Sequence, residues 1–326
     1  MASFPLRLAA VVVTHDRLDK LQTTVASLLA QPVAQVIVID NASSDGTGAW
    51  LAAQDDPRLM VHRSAENLGG AGGFSVGMQL ARDQTEADWI VLMDDDGRPQ
   101  PGAIAAFRDL ELGRWDAIGA AVFHPDGRIC EMNRPYRNPF WHPAAFLRTL
   151  ARLPFGRGRR GFHLTDAEYE AGGPIRSIDM SSFVGLFLSR KALMRAGLPD
   201  PRLFVYGDDQ LYTLRMRRQG LRIGFAAQVR FDHDTAAQQG QSGVVLRPIW
   251  KVFYMYRNAL MAYRVAAGPW FWPLVPVLLR KWRRKAGDYG QDAALFRKIL
   301  DQAVQDGLSG RLERPHADVL RLADMI

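Results

Sequence analysis

Short apolar runs alternate with helical patterns along the first 130 residues of this 326-residue chain. Residues 9–13, 36–39 and 89–93 are typical of buried strands, 58–62 predict another strand, and 18–29 have helical spacing. Strands that are joined through helices pair in parallel, and helices then cover both faces of the sheet. The pattern therefore predicts an α/β fold on a mainly parallel sheet flanked by helices.

Polar side chains follow three of these strands. They are Thr14 and Arg17 after the first, Asp40 after the second, and Asp94, Asp95 and Asp96 after the fourth. Ligands of open α/β sheets bind at the edge where the carboxyl ends of parallel strands meet. Three adjacent carboxylates repel one another, so their position predicts a bound cation, for which Mg²⁺ or Mn²⁺ is the usual partner of carboxylate oxygens. Asp94 and Asp96 share a face of an extended segment, and a solvated acidic turn is the alternative.

A glycine-rich segment over 67–73 precedes a predicted helix over 74–82. We expect a loop whose backbone N–H groups approach an anion at the positive end of the helix dipole. A flexible connection is the alternative. The segment matches neither a P-loop nor a G-x-G-x-x-G fingerprint directly after the first strand, which disfavours an NTPase or a Rossmann dehydrogenase.

Two further acidic groups lie later in the chain. Asp208 and Asp209 open a helical segment that reaches residue 219, and Asp232-His233-Asp234 closes a β-like run over 221–231. Acids at a helix start also complement the helix dipole, and a lone histidine is more often a surface or core residue than a ligand. The residues alone leave both interpretations open.

The chain changes character twice. Between 134 and 173 the periodicity fades in a segment rich in Pro, Arg and aromatic residues, which predicts an insertion or a mobile loop. Beyond about residue 247 helical patterns carry Trp, Tyr and Arg. We therefore expect one α/β domain over 1–246 and a basic, aromatic, helical extension over 247–326.

Charge and cysteine content limit the partners and the compartment. Lys and Arg number 41 against 34 Asp and Glu, a balance that favours nucleic acid, anionic lipid or phosphorylated substrates. Basic and aromatic residues concentrate after 247 instead of interleaving on a sheet face, so we expect no nucleic-acid partner. Cys130 is the only cysteine, which excludes an intrachain disulfide and favours the cytoplasm. Residues 8–13 are too short for a signal-peptide core, and 265–279 are too short and proline-rich for a membrane span.

Taken in order, these segments resemble the motifs of inverting family 2 glycosyltransferases with the GT-A fold. The resemblance covers about residues 8–235 and rests on 11–17, 38–47, 67–70, 93–96, 207–209, Arg215 and His233. The acidic triplet, the glycine-rich segment and Tyr256-Arg257-Asn258 more narrowly resemble bacterial galactofuranosyltransferases and the related rhamnosyltransferases.

The resemblance implies a role for each matching residue. The nucleotide-sugar set is Thr14, Arg17, Asp40, Asn67, Gly69, Gly70 and Asp95. The metal set is Asp94 and Asp96 of a D-x-D site, completed by His233, with Mn²⁺ or Mg²⁺ as the ion. Asp209 matches the general base, and Asp208 occupies the neighbouring acidic position. Many relatives have Glu in place of Asp208 and Asp in place of Leu211.

The implied activity is transfer of a sugar, with galactofuranose as first candidate, from a nucleoside-diphosphate donor that is UDP-linked by preference. The acceptor is a hydroxyl of a glycan or of a lipid-linked glycan. A carboxylate can take the proton of the attacking hydroxyl, and a divalent ion with backbone donors can stabilise the leaving diphosphate. A rhamnosyl or a polyprenyl-phosphate glycosyltransferase and, in a different class, a metal-dependent nucleotidyltransferase are the alternatives.

Residues 270–279 are apolar and contain two tryptophans, and the basic cluster 280–285 follows at once. Aromatic rings beside cations are typical of segments that lie in an anionic membrane interface. We expect residues 270–285 to hold the protein peripherally on the inner face of the cell membrane. The alternative is that the tryptophans pack on the α/β domain and the cations face solvent.

Overall fold

A computed structural model describes residues 6–170, 172–235 and 245–324. Positions 1–5, 171 and 236–244 of the expected α/β domain lie outside the described residues, as do 325–326 of the expected extension. The strands are β1 (Leu8–Thr14), β2 (Gln35–Asp40), β3 (Leu59–Arg63), β4 (Trp89–Asp94), β5 (Gly97–Pro99), β6 (Ala117–Phe123), β7 (Arg176–Ile178), β8 (Leu186–Ser189) and β9 (Ile223–His233).

The α-helices alternate with these strands and then follow them. They are α1 (Leu18–Leu29), α2 (Thr47–Ala52), α3 (Gly69–Gln84), α4 (Ala103–Arg108), α5 (Pro143–Arg152), α6 (Arg190–Ala196), α7 (Asp208–Arg218), α8 (Lys251–Ala267), α9 (Phe271–Arg284), α10 (Ala293–Ser309) and α11 (His316–Leu322).

The described strands form one sheet in the order β3-β2-β1-β4-β8-β6-β9-β5, and β7 also pairs with β9. β1 runs parallel to β2 and to β4, with Thr14 opposite Asp40 and Val13 opposite Asp94. This register brings the three polar strand ends to one edge, as the sequence predicts. β8 is antiparallel to both β4 and β6, so the sheet is parallel through β3, β2, β1 and β4 and mixed beyond them.

Both faces of the sheet are buried because successive side chains of a strand point to opposite sides. Val11 and Val13 belong to one apolar cluster and Val12 to the other. α3 covers the first face, and a Cβ on its Gly73 or Gly77 would lie 2.5 Å or 2.4 Å from these valines. The close approach of α3 to β1 therefore requires glycine at both positions.

The expected glycine-rich loop over 67–73 is wrong from Gly69 onward, because α3 begins there. Glycine weakens an isolated helix by about 1 kcal/mol per residue, which is why the sequence favours a loop. Packing outweighs that preference here. Gly69 has a φ of +69°, and a Cβ there would lie 2.2 Å from the carbonyl oxygen of Phe204.

The described residues of 134–173 contain α5 and three short 3-10 helices, where the sequence predicted an insertion or a mobile loop. The buried carboxylate of Asp179 connects this segment to α7. One oxygen of Asp179 accepts from the N–H of Asn138 at 2.8 Å and lies 2.7 Å from Nε2 of His142. The other accepts from Nε of Arg217 in α7 at 2.8 Å. The segment is thus tied to the helix that begins with Asp208.

The C-terminal residues are helical, as predicted. α8 to α11 enclose an apolar cluster of their own, and Phe204, Val205 and Tyr206 pack against it. Trp282 of α9 is buried, with its ring 4.9 Å from the ring of Tyr256. The extension therefore contacts the loop that precedes α7.

Candidate active site

Asp94, Asp96 and His233 come together at the carboxyl edge of the sheet. Asp94 ends β4, and the pairing of β5 with β9 places His233 opposite Gly97, directly after Asp96. One ligand atom from each residue lies within 4.8 Å of the other two. Nε2 of His233 is 3.2 Å from Oδ1 of Asp96. Two carboxylates and an imidazole at this spacing fit one divalent cation.

Asn133 orients the histidine. Its amide oxygen lies 2.7 Å from Nδ1 of His233, and its amide nitrogen donates to Oγ of Ser182 at 2.9 Å. In this orientation Nδ1 donates, which leaves the lone pair of a neutral imidazole on Nε2, the atom that faces Asp96. Asn133 was not predicted, because it lies 100 residues from His233 and belongs to no motif.

The carboxylates of the acidic segment are largely removed from water, and the neighbouring cations do not fully offset their negative charge. Burial raises the pKa of Asp94 to about 7, and the charge of Asp96 adds to this. Burial also raises the pKa of Asp95 to about 6, although Arg17 opposes the shift. For His233 burial lowers the pKa, but the hydrogen bond and charge of Asp96 outweigh it and raise the pKa to about 10. A bound cation would replace the protons that these groups retain.

Arg17 and Thr14, which we expect at the nucleotide, also contact the acidic segment. The guanidinium of Arg17 lies 3.0 Å from Oδ1 of Asp95 and donates to Oδ2 of Asp96 at 2.8 Å. Oγ1 of Thr14 donates to the other oxygen of Asp95 at 2.8 Å. Asp96 thus faces Arg17 with one oxygen and His233 with the other.

The predicted base lies at the start of α7. Burial raises the pKa of Asp209 to about 6, although backbone hydrogen bonds, including one from the N–H of Gln210 at 2.6 Å, favour the carboxylate. Burial, together with the charges of Asp209 and Asp94, raises the pKa of Asp208 well above its usual range. Asp208 therefore retains its proton to a higher pH than an exposed aspartic acid does, and Asp209, with a pKa of about 6, can accept a proton near pH 7.

The loop before α7 has an unusual backbone that Asn258 holds. Phe204 and Tyr206 have φ values of 64° and 66°, a region that costs side-chain-bearing residues about 1 kcal/mol or more. The amide nitrogen of the buried Asn258 donates to the carbonyls of Leu203, Val205 and Tyr206 at 2.9, 3.0 and 2.8 Å.

Arg257 completes this arrangement. Its Nε donates to the amide oxygen of Asn258 at 2.9 Å, and its terminal nitrogen donates to the carbonyl of Arg202 at 2.8 Å. The sequence singled out Tyr256-Arg257-Asn258 without a role. In the structure Arg257 and Asn258 fix the approach to Asp209.

Asp40 and Asn67 lie further along the same edge. Asp40 is fully buried; it accepts from the N–H of Ser43 at 2.9 Å and lies 3.2 Å from the guanidinium of Arg63. Oδ1 of Asn67 accepts from the side chain of Asn41 at 3.0 Å and from the N–H of Gly69 at 2.8 Å. Asn41, which sequence reasoning missed, links the ends of β2 and the start of α3.

The backbone donors of the glycine-rich segment are largely used within the protein. Asn41 accepts from the N–H of Leu68 at 3.0 Å, and Phe204 accepts from the N–H of Ala71 at 3.0 Å. At Gly70 a Cβ would meet open space. Gly70 therefore lies at the exposed part of this segment.

Lys251 adds a second cation that no motif indicated. It opens α8 and is half-buried, and burial lowers its pKa, with the charge of Arg17 adding to the effect. The charges of Arg17 and Lys251 therefore act on one another.

The fold and this site define a glycosyltransferase. Residues 9–160 match the family described as Glycosyl transferase family 2. The galactofuranosyltransferase GlfT1 of Mycobacterium tuberculosis is 31% identical over 236 residues, which cover 71% of each chain. An undecaprenyl-phosphate mannosyltransferase of Micrococcus luteus is 36% identical over 189 residues, 54% of this chain and 71% of that protein. The chain belongs to glycosyltransferase family 2.

Two solved structures share the GT-A fold. GalNAc-T7 with UDP, GalNAc and Mn²⁺ aligns with a TM-score of 0.55 at 14% identity, over 78% of this chain and 47% of that one. The mannosyltransferase PcManGT of Pyrobaculum calidifontis with GDP-Man and Mn²⁺ aligns at 0.53 and 16% identity, over 94% and 88%. At these identities the two structures resemble this chain in fold alone.

Proposed function

We propose that this glycosyltransferase moves a hexose, with galactofuranose as first candidate, from a nucleoside-diphosphate donor to a hydroxyl of a glycan or lipid-linked glycan, with inversion at the anomeric carbon. The observation that carries the proposal is a group of two carboxylates and an imidazole near a half-buried, ionisable Asp209. The relatives named galactofuranosyltransferase support the sugar, and UDP is the first candidate nucleotide.

Asp94, Asp96 and His233 would hold Mn²⁺ or Mg²⁺. When bound, such an ion offsets the negative charge of a departing nucleoside diphosphate. Asn133 keeps Nε2 of His233 available, and Arg17 with Thr14 keeps the carboxylates in place. Asp95 supports this arrangement from the middle of the acidic segment.

The remaining donor contacts come from the same sheet edge. We assign the base and ribose to Thr14, Arg17 and Asp40, and the ribose and diphosphate to Asn67, Gly69 and Gly70. Gly70 borders open space, and Arg17 and Lys251 supply positive charge for a diphosphate.

Asp209 would act as the base. Its carboxylate takes the proton of the acceptor hydroxyl while that oxygen attacks the anomeric carbon from the face opposite the diphosphate. The bond between the anomeric carbon and the diphosphate oxygen breaks in the same displacement. One displacement inverts the configuration and needs no enzyme nucleophile.

Incubation with a panel of sugar nucleotides, Mn²⁺ and a lipid-linked acceptor extract, followed by mass spectrometry, tests this proposal. We expect a glycosylated acceptor and a nucleoside diphosphate with the wild type and with Asp55→Asn, an exposed acid outside the site. Asp209→Asn should give neither. Release of pyrophosphate would identify a nucleotidyltransferase instead, and transfer to a polyprenyl phosphate would support the second candidate, which the relative from Micrococcus luteus suggests.

We further propose that residues 270–285 attach the protein to an anionic lipid surface. No helix of the described residues is long and apolar enough to cross a membrane. Trp270 and Trp272 are 66% and 62% exposed, while Trp282 is buried against Tyr256 and takes no part. The exposed cations follow on α9, at Arg280, Lys281, Arg283 and Arg284.

Sedimentation with vesicles tests this attachment. We expect the protein to sediment with anionic but not with neutral vesicles, and high salt to release it. Replacement of Arg280, Lys281, Arg283, Arg284 and Lys285 with Gln should weaken the association, at about 1 kcal/mol per cation. Indifference to salt and to lipid charge would assign these cations to solvent.

A further inference from the structure

Helix α5 exposes an apolar face that nothing in the described structure covers. Of its residues only Ala145 is buried. Leu147 and Leu150 are 65% and 46% exposed, and just beyond the helix Leu153 and Phe155 are 55% and 75% exposed. Leu147 and Leu150 are neighbours on one face of the helix because they are three residues apart. Exposed leucines at this spacing are typical of a helix that binds another apolar surface.

The part of the segment that contains α5, residues 134–165, carries only positive charge. Residues 134–165 contain no Asp or Glu. Arg148 and Arg152 lie within α5, and their guanidinium groups donate to the backbone carbonyls of Gly161 and Arg160. Apolar side chains combined with arginine and no acid fit an anionic lipid interface better than a protein surface, which would present charges of both signs.

An arginine cleft lies beside the start of this segment. Arg215, Arg218 and Arg264 line an open cleft of about 490 Å³ with Gln219, Val265 and Gly268. Across the described residues, none of the three guanidinium groups has a carboxylate within 4.0 Å. Arg218 and Arg264 each donate one hydrogen bond to a backbone carbonyl, of Val265 and of Leu308. A guanidinium has five N–H donors, so the three arginines still offer donors to a phosphate group in the cleft.

The cleft joins α5 to α9. The guanidinium of Arg218 lies 5.7 Å from the ring of Trp141, two residues before α5, and that of Arg264 lies 5.5 Å from the ring of Trp272 in α9. The side chain of Asn138 donates to the carbonyl of Ala266 at 2.9 Å, which fixes the start of one segment against the end of α8. The residue pair just before α5 and the first turn of α9 therefore each lie beside an arginine of this cleft.

We propose that α5 enters the same anionic lipid surface as α9, and that the arginine cleft between them holds the phosphate of a lipid headgroup. This inference extends the proposed attachment through residues 270–285 and depends on it for its second helix. A free phosphate has no use for the exposed apolar side chains of Leu147, Leu150 and Phe155, whereas a lipid surface would bury them. We therefore assign the cleft to a lipid.

Vesicle binding by the full chain tests the inference, with phosphatidylcholine vesicles and vesicles of equal parts phosphatidylcholine and phosphatidylglycerol. Leu147→Ser with Leu150→Ser should lower partitioning into the anionic vesicles about tenfold or more. Arg215→Gln with Arg218→Gln should lower it about 25-fold, or about fivefold per cation. The controls are Val61→Ser on β3, at the far end of the sheet, and Lys191→Gln, an exposed cation on α6, and both should bind as the wild type does.

A labelled variant keeps the test independent of the stability of α5. In Phe155→Cys the new thiol is exposed while Cys130 is buried, so an environment-sensitive fluorophore reacts at position 155. We expect a blue shift of its emission with anionic vesicles alone. An unchanged emission, or normal binding by the double leucine variant, would overturn the inference.

Two further outcomes are decisive. If inorganic phosphate raises the melting temperature, the arginine variant abolishes this shift and vesicle binding stays normal, the cleft binds free phosphate and the lipid assignment is wrong. If the wild type binds no sugar nucleotide yet partitions as expected, the proposed function fails while this inference stands.

Discussion

Replacing Asn258 with Ala should lower both stability and turnover. The buried amide donates two hydrogens to the carbonyls that precede α7 and accepts one hydrogen bond from Arg257. Loss of three buried hydrogen bonds at about 1 kcal/mol each predicts a decrease of about 3 kcal/mol in the free energy of unfolding. The freed loop would also let Asp209 move, and a displacement of about 1 Å costs about 100-fold in turnover.

The assays are urea unfolding and steady-state transfer with the donor and the acceptor varied in turn. We expect kcat to fall about 100-fold while the KM for the donor changes little, because the side-chain hydrogen bonds of Asn258 go to Arg257 and to the loop before α7. Asn138→Ala is the matched control, since that buried amide also donates to a backbone carbonyl, 2.9 Å away in Ala266, and its side-chain hydrogen bonds reach neither α7 nor the loop before it, while its backbone bond to Asp179 is kept. It should lose stability and keep its turnover. Normal kcat in Asn258→Ala, or an equal loss in Asn138→Ala, would refute the positioning role.

Three other predictions concern the site itself. Asp96→Ala should abolish metal-dependent transfer while the circular dichroism spectrum stays that of the wild type, and near-normal transfer in the presence of a chelator would contradict the metal assignment. Asp209→Asn should retain donor binding, measured by calorimetry, and lose about 100-fold or more in turnover; an equal loss of donor affinity would move Asp209 to nucleotide binding. Because the pKa of Asp209 is raised to about 6 and a protonated base is inactive, turnover at saturating Mn²⁺ should fall as the pH drops below about 6. A flat profile between about pH 5 and about pH 7 would show that another group accepts the proton.

The sheet edge could be predicted from the sequence because the ends of the strands and their parallel pairing both follow from the sequence pattern. An apolar run that ends in a polar residue marks a strand end, and parallel pairing then places Thr14 opposite Asp40 and Val13 opposite Asp94. The metal group needed one more step. The shared position of Asp94 and Asp96 follows from their alternation in an extended segment. His233 reaches them through the pairing of β5 with β9, and only the family resemblance indicated this histidine.

Other parts depend on contacts that leave no local pattern. α3 needs its glycines because the carbonyl of Phe204 leaves no space for a Cβ at Gly69 and the side chain of Val13 leaves none at Gly73, whereas glycines in the sequence favour a loop. Asn133 and Asn258 act on residues about 100 and about 50 positions away, so spacing could not reveal them. The helices of 134–173 escaped notice because their apolar residues face outward, where no core periodicity applies.

The single cysteine of the chain can report how often the structure around it opens. Cys130 is fully buried, and its Sγ lies 3.8 Å from Nδ1 of His233. A thiol reagent can reach it only while the protein is open around that histidine, so the rate of alkylation measures how often this part of the molecule opens. A cation or a donor that binds only the closed form must slow alkylation by the factor one plus its concentration over its dissociation constant. The alkylation rate of the unlabelled wild-type protein therefore gives the dissociation constant of the cation and of the donor.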